Sequence, residues 1–264
     1  MATLDASDSA AAQIDSKAMR LQDHLLELRR RLLWSALTFT VAFVGCYMFS
    51  RQIYLFLAAP LAQIMVAKGE PPRLIYTALS EAFFTYMKVA LFGAAFVSFP
   101  MVAMQLWKFV APGLYRTEKR AFAPFLIATP VLFVLGAALA YYFVFPVAWK
   151  FFLSFEAPGG QGAPQIQLLA RVSEYLGLVM KLMIAFGIAF ELPVALSLCA
   201  RVGLIQAAGL RHYRRYAYVG CFTFAAVLAP PDAITMTGLA VALIGLYEIS
   251  ILAARMVEQK PMVA

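Results

Sequence analysis

Long uncharged stretches separated by short charged segments dominate the pattern of this chain. A transmembrane helix needs about 20 mainly apolar residues to cross a hydrocarbon layer of about 30 Å. The pattern therefore predicts six spans, at residues 32–50, 84–107, 121–147, 175–200, 215–229 and 234–254. They form one membrane domain, 18–256, between a polar tail at 1–17, predicted to be disordered, and a C-terminal tail at 257–264.

The fifth of these segments is shorter than the others. Between Arg215 and Asp232 it offers about 14 helical residues, 216–229, which reach only about 21 Å at 1.5 Å per residue. A helix this short crosses a bilayer only where the bilayer thins or where flanking side chains extend to the surface. We therefore expect a thinned bilayer around spans five and six.

The distribution of lysine and arginine predicts the orientation in the membrane. The N-terminus, 108–120, 201–215 and the C-terminus together hold 15 of the 22 cationic residues, whereas the opposite loops, 51–82, 147–174 and 230–234, hold five. Cytoplasmic loops carry the excess of positive charge in membrane proteins. Both termini are therefore predicted to lie in the cytoplasm.

The composition agrees with a membrane protein, and the absence of known catalytic and cofactor motifs argues against an enzyme. The chain is 63% hydrophobic and 14% charged, against about 25% charged in soluble domains. The three cysteines lie in apolar stretches, and no cysteine–histidine cluster has metal-ligand spacing. The sequence contains no nucleotide-binding loop and no nucleophile elbow. We expect no cofactor, no metal, no nucleic-acid partner and no enzymatic activity.

Two glutamates stand out on the basic cytoplasmic segments. Glu27 precedes three arginines in a helical segment whose leucines form one stripe, and Glu118 lies in the basic segment 115–120. Such a carboxylate can pair with a neighbouring arginine, or it can accept two hydrogen bonds from an incoming guanidinium. The sequence leaves both interpretations open.

At these residues the sequence resembles the TatC family, the large subunit of the twin-arginine protein translocase. The resemblance extends in order over residues 20–255 and also includes Pro100 and Glu118. Its motifs are 24–32 (HLLELRRRL), 59–61 (APL), 81–86 (EAFFTY), 105–115 (QLWKFVAPGLY), 141–146 (YYFVFP), 185–193 (AFGIAFELP), 230–232 (PPD) and 246–248 (LYE). The chain departs from the usual family residues at Ala229, Met236 and Ala242.

The resemblance implies an all-α fold, a concave bundle of six transmembrane helices with short fifth and sixth spans. It implies a receptor for signal peptides that carry two consecutive arginines, which exports folded proteins with the single-span subunits TatA and TatB. Transport would use the proton-motive force, and self-association is expected. The resemblance assigns Glu27 and Glu118 to the two signal arginines, and Arg29 and Arg31 to holding that site together.

Further residues gain a role from the resemblance. Glu191 is an ionisable residue inside a span, which indicates function by default, and with Gln105 we expect it to polarise one concave pocket for a partner helix or a passing substrate. The resemblance assigns structural or partner contacts to Pro60, Phe109, Pro112 and Asp232.

The principal alternative is a proton-coupled secondary transporter of a small solute. Six spans with Lys181 and Glu191 inside the fourth would permit it. Transporters usually show paired interrupted segments in two halves of the chain, and the sequence shows no such pair.

Overall fold

The computed structural model describes the backbone of residues 2–110, 119–157, 165, 167–201, 203–228 and 233–257. Side-chain surroundings are described within the same ranges from residue 25 onward, without 110 and 119–123. These residues form helices, and Ile75 and Arg171 form an isolated parallel β-bridge. The prediction of an all-α fold is confirmed.

Ten α-helices and one π-helical turn follow each other in the described chain. In order they are α1 (Ala2–Met48), α2 (Ser50–Ala67), α3 (Glu81–Val110), α4 (Lys119–Leu139), the π-helical turn (Ala140–Val144), α5 (Phe145–Leu153), α6 (Val172–Ala189), α7 (Leu192–Arg201), α8 (Ala207–His212), α9 (Arg214–Leu228) and α10 (Ala233–Val257).

Among the described residues, five helical segments are long and apolar enough to cross a membrane. They are Leu25–Met48, Glu81–Phe109, Pro124–Leu153, Val172–Arg201 and Ala233–Val257. Each overlaps one of the predicted spans. The remaining predicted span is α9, whose 15 residues reach about 22 Å. The short fifth helix thus agrees with the sequence, whereas the last helix, with 25 residues, is longer than the short sixth span that we expected.

The first helix begins far before its apolar segment. It includes residues 2–17, for which the sequence analysis predicted a disordered tail. Six alanines lie in 2–18, and alanine is the strongest helix former, which gives a local reason for helix there. The apolar part of α1 packs mainly against α3.

Prolines explain the interruptions of the long helices. A proline lacks the amide hydrogen and its ring clashes with the carbonyl four residues earlier. Before Pro146 the chain widens into the π-helical turn, where the Phe145 amide donates to the Ala140 carbonyl. Before Pro193 the helix is interrupted by a turn at Phe190 and Glu191, which separates α6 from α7.

The core lies where α2, the end of the third span and α6 meet. Phe145 and Phe186 are the largest fully buried side chains, together with Leu57, Leu176 and Leu182. Elsewhere α4 packs on α6, α7 packs on α10, and α9 packs chiefly on α10. Many apolar side chains of α1 stay exposed in the single chain, as expected for a surface that faces lipid or other membrane helices.

Candidate functional site

The predicted receptor residue Glu27 lies on α1 beside Arg31. The two residues are one helical turn apart and therefore share a face. The Arg31 guanidinium donates to the Glu27 carboxylate through Nη2 and to Gln105 Oε1 through Nη1, at 3.2 Å. Arg31 is 18% exposed and Glu27 is 37% exposed. The structure thus joins α1 to α3 through one arginine and leaves the carboxylate partly open.

Of the other residues predicted to have a role, only some lie in the part of the chain that the structure describes. Arg29 is exposed beside the pair, and Phe109 is half-buried near the end of α3. Glu118, Pro112 and Asp232 lie outside the described residues. The structure therefore brings together Glu27, Arg31 and Gln105.

Glu191 occupies the break between α6 and α7. This break places it at the wall of a cavity of about 530 Å³ that is otherwise almost entirely apolar. The cavity lies between α7, α9 and α10, and its wall includes Leu192, Ala195, Ala217, Gly220, Cys221, Phe224, Leu243 and Tyr247. Glu191 borders this cavity, but its carboxylate oxygens are not exposed to the open space, so a bound group would meet them only after the side chain turns.

The surroundings of the Glu191 carboxylate are poor in hydrogen-bond partners. Both of its oxygens are shielded from solvent and, within the described part of the chain, no group bonds to them with normal geometry. The Thr129 hydroxyl comes close to the carboxylate without reaching that geometry, and it accepts a bond of 3.0 Å from Trp107 Nε1. Gln105 does not line this cavity, so its pairing with Glu191 in one pocket stays a prediction.

Pro60 has a structural role that the hydrogen bonds make clear. It lies inside α2 and cannot donate to the carbonyl of Phe56, four residues earlier. The Tyr141 hydroxyl donates to that carbonyl at 2.7 Å, and the Tyr141 ring stacks on the Phe56 ring at 4.5 Å. The tyrosine thus replaces the backbone bond that the proline removes.

The sequence analysis did not predict the polar cluster around Glu81 at the start of α3. The Glu81 carboxylate is buried and accepts hydrogen bonds from the Thr77 amide at 2.9 Å and the Ser173 hydroxyl at 2.6 Å. Arg171 contacts both Thr77 and Glu81. The sequence analysis listed Glu81 only as part of a motif, because two of its partners, Arg171 and Ser173, are 90 and 92 residues away in the chain.

A second ion pair joins the same two loops. Lys68 Nζ lies 3.0 Å from a carboxylate oxygen of Glu156 and donates to the Leu153 carbonyl at 2.8 Å. The hydrogen bond from Lys68 lowers the pKa of Glu156 below its usual value. Together with the Glu81 cluster, this pair fixes the loop after α2 to the loop before α6.

Metal binding has no support in the described residues. Within them, no group of three histidine, cysteine, aspartate or glutamate side chains could hold an ion. The three cysteines there are unpaired thiols, at Cys46, Cys199 and Cys221.

Comparison with known proteins adds the family. The family profile described as Sec-independent protein translocase protein (TatC) matches residues 23–241. A TatC sequence from Magnetococcus marinus is 50% identical over 240 residues, which are 91% of this chain and 85% of that protein. A TatC sequence from Rickettsia prowazekii is 43% identical over 243 residues, 92% of this chain and 95% of that protein.

The fold also matches a solved structure. A crystal structure titled as the twin arginine translocase receptor TatC superimposes with a TM-score of 0.73 and 36% identity, and the match covers 89% of this chain and 99% of that one. The helices, the order of the motifs and these relatives agree with each other. The chain therefore belongs to the TatC family of Sec-independent protein translocases and is a multi-pass membrane protein of twin-arginine transport.

Proposed function

We propose that this chain is the subunit of the translocase that binds the twin-arginine signal peptide. Glu27 and Glu118 each accept one guanidinium of the arginine pair. The observation that supports this proposal is the half-open Glu27 carboxylate, which already accepts a guanidinium in this structure. Its chemistry and exposure suit an arginine that arrives from solution. The related protein of known structure is described as the twin arginine translocase receptor.

Arg29 and Arg31 have supporting roles in this proposal. Arg31 connects α1 to α3 through Gln105 and so fixes the position of the Glu27 backbone relative to α3. Arg29 is exposed on the adjacent helical turn, where it adds to the positive charge that holds this surface near anionic head groups.

Glu191 serves a second step in the proposal. Glu191 borders an apolar cavity, and once its side chain turns towards that space its carboxylate gives one polar contact to a partner helix or a passing substrate. Because its oxygens lack normal hydrogen bonds among the described residues, Glu191→Leu should fold as well as the natural protein. Export of a twin-arginine substrate by that variant should fall. Unchanged export by a correctly inserted Glu191→Leu variant would show that the carboxylate has no such role.

The assembly and energy source complete the proposal. Both termini are in the cytoplasm, the membrane is the bacterial inner membrane, and the partners are TatA- and TatB-like single-span proteins together with further copies of this chain. The exposed apolar side chains of α1 support such helix contacts. Transport uses the proton-motive force, which supplies about 2.3 kcal/mol per charge per 100 mV.

A peptide-binding experiment tests the receptor function. The purified chain in lipid nanodiscs is offered a signal peptide with Arg-Arg and the same peptide with Lys-Lys. We expect retention of the first peptide, weak binding of the second, and loss of the difference in Glu27→Gln and Glu118→Gln. Glu174→Gln is the matched control, since Glu174 also pairs with an arginine, at 3.0 Å, and is 69% exposed.

Two outcomes would contradict the proposal. Equal binding of both peptides by the natural protein would remove the receptor function and favour the alternative, a proton-coupled transporter of a small solute, which should ignore the change from arginine to lysine. Normal export by a Glu118→Arg variant that inserts correctly would remove Glu118 from the site.

A further inference from the structure

Lys181 is a cation within a membrane span, and neither the receptor site nor the Glu191 cavity gives it a role. It lies near the middle of the 18 residues of α6. An ionisable side chain at such a depth normally has a specific partner. The Lys181 ammonium donates a hydrogen bond of 3.4 Å to the backbone carbonyl of Val227, in the last turn of α9. This contact joins the middle of α6 to the end of the short helix α9.

The Val227 carbonyl is a group that α9 cannot satisfy with its own backbone. In an α-helix each carbonyl accepts a hydrogen bond from the amide four residues later. The residue four positions after Val227 is Pro231, which has no amide hydrogen. Pro230 removes the corresponding donor for Ala226. The last carbonyls also carry the negative end of the helix dipole, which a cation stabilises. Lys181 therefore supplies a donor and a positive charge where the sequence removes the usual donor.

The first turns of α9 are joined to α10 by a second set of polar contacts. Arg214 Nη2 donates to Glu248 Oε2, and the Tyr218 hydroxyl donates to Glu248 Oε1, each at 2.6 Å. Arg214 and Tyr218 are one helical turn apart and share a face of α9. The short helix is thus tied by polar contacts near both of its ends, to α10 at its start and to α6 at its last turn.

Between these contacts α9 forms one wall of the cavity that Glu191 borders. The wall residues of α9 include Gly220, Cys221 and Phe224. Side chains that border open space lack packing partners on that side, and so they contribute less to holding the helix in place. The polar contacts at the two ends therefore contribute more to its position.

We infer that Lys181 is a positioning residue, which caps α9 and thereby fixes the wall of the Glu191 cavity. Without the ammonium, the Val227 carbonyl would lose a donor inside the membrane, where an unsatisfied backbone group is costly. The end of α9 would then shift towards water or unwind, and the cavity would open beside Cys221. The inference rests on the proposed function only for the use of the cavity, since the position of α9 can be measured without any ligand.

The Cys221 thiol reports the position of this wall, because it is free and 8% exposed. The full chain with Cys46→Ala and Cys199→Ala, which leaves Cys221 as its single thiol, is placed in nanodiscs and treated with N-ethylmaleimide. Mass spectrometry follows the modification. Lys181→Met should raise the rate by about tenfold, the effect on an opening equilibrium of losing one hydrogen bond to a charged group. Lys181→Arg keeps a cation with donors and should react at the natural rate.

Lys88→Met is the matched control. Lys88 is also an exposed lysine inside a predicted span, but it lies in α3, and none of the described residues of α3 belongs to the cavity wall. Its substitution removes the same charge from the membrane and should leave the Cys221 rate unchanged. Lys181→Gln keeps a shorter donor without the charge, so it should react at an intermediate rate. It decides the question if Lys181→Met does not insert.

Three results would overturn the inference. A natural rate in Lys181→Met, or in Lys181→Gln where that variant decides, would mean that α9 keeps its position without the lysine. A rate in Lys181→Arg as high as in Lys181→Met would exclude capping by a cation, and an equal rise in Lys88→Met would assign the effect to the loss of charge. Unchanged export by Glu191→Leu, together with the expected labelling, would instead reject only the proposed use of the cavity.

Discussion

Gly136 lies at a close contact between α4 and α6. A Cβ atom built at this glycine would lie 2.5 Å from the carbonyl oxygen of Phe186 and 2.9 Å from its carbonyl carbon. It would also lie 2.9 Å from Cγ of Phe190. Two of the three obstacles are backbone atoms, so no side-chain rotation removes the clash. Small residues at such positions allow membrane helices to approach closely.

The expected cost of Gly136→Ala follows from that geometry. The two helices must separate by several tenths of an ångström, and overpacking of this kind costs about 1–3 kcal/mol. Alanine in place of glycine inside a helix stabilises the fold by about 0.5–1 kcal/mol. This gain is smaller than the cost of the clash. For a chain of this size, 1 kcal/mol corresponds to about 2–4 °C. The melting temperature in detergent should therefore fall by several degrees.

A matched substitution controls for the change of residue type. Gly177 lies in α6, one of the same two helices, and a Cβ atom there would meet nothing within 4 Å. We measure the loss of the monodisperse peak on size-exclusion chromatography after heating. Gly177→Ala should melt at or above the temperature of the natural protein and Gly136→Ala below it. If the two variants melt together, the contact between α4 and α6 is looser than this structure indicates.

Three further predictions concern other parts of the molecule. Tyr141→Phe should lower the free energy of unfolding by about 0.5–1.5 kcal/mol. The loss should be smaller in a Pro60→Ala background, where the new amide can donate to the Phe56 carbonyl. Equal losses of free energy in the two backgrounds of this double-mutant cycle would contradict the prediction. Glu156→Gln should be less stable than the natural protein above pH 4.5, and because Lys68 lowers the Glu156 pKa, the difference should close as the pH falls through that lowered pKa; a difference that persists in acid would refute it. Cryo-electron microscopy in nanodiscs should show a thinner bilayer beside α9 than beside α3, and a uniform bilayer would refute the mismatch argument.

Much of the fold follows from the sequence because lipid imposes a simple rule. Every backbone group inside the hydrocarbon must be bonded within its own segment, so a long apolar stretch has to be a helix. Charged residues such as Arg31 and Lys108 mark where such stretches end. The shortness of α9 follows in the same way, because Arg215 and Asp232 limit its apolar part.

The helix ends and interruptions are less predictable. Pro146 and Pro193 indicate where a helix is disturbed, but the result differs: the first follows a π-helical turn and the second a two-residue turn at Phe190 and Glu191. The local sequence around the two prolines does not distinguish these outcomes.

Hydrogen bonds between residues far apart in the chain could not be predicted from the sequence. Gln105 accepts a hydrogen bond from Arg31, 74 residues away, and the sequence analysis did not predict this contact. Glu81 finds Ser173 at a separation of 92 residues. A polar residue in an apolar segment is expected to have a hydrogen-bonding partner. The identity of that partner depends on which helices face each other in the fold.

Glu27 and Glu191, the two described glutamates with proposed roles, show why residue type alone does not define a role. Glu27 lies beside arginines and is partly exposed, so its carboxylate exchanges partners readily and suits recognition of a second cation. Glu191 lies in an apolar wall with no normally bonded partner among the described residues, so a ligand with one donor group would gain an unusually strong contact there. The first site should respond to charge and salt, and the second to the shape and polarity of a helix. Substitution by glutamine therefore separates them, because it abolishes the ion pair at Glu27 but keeps a polar contact at Glu191.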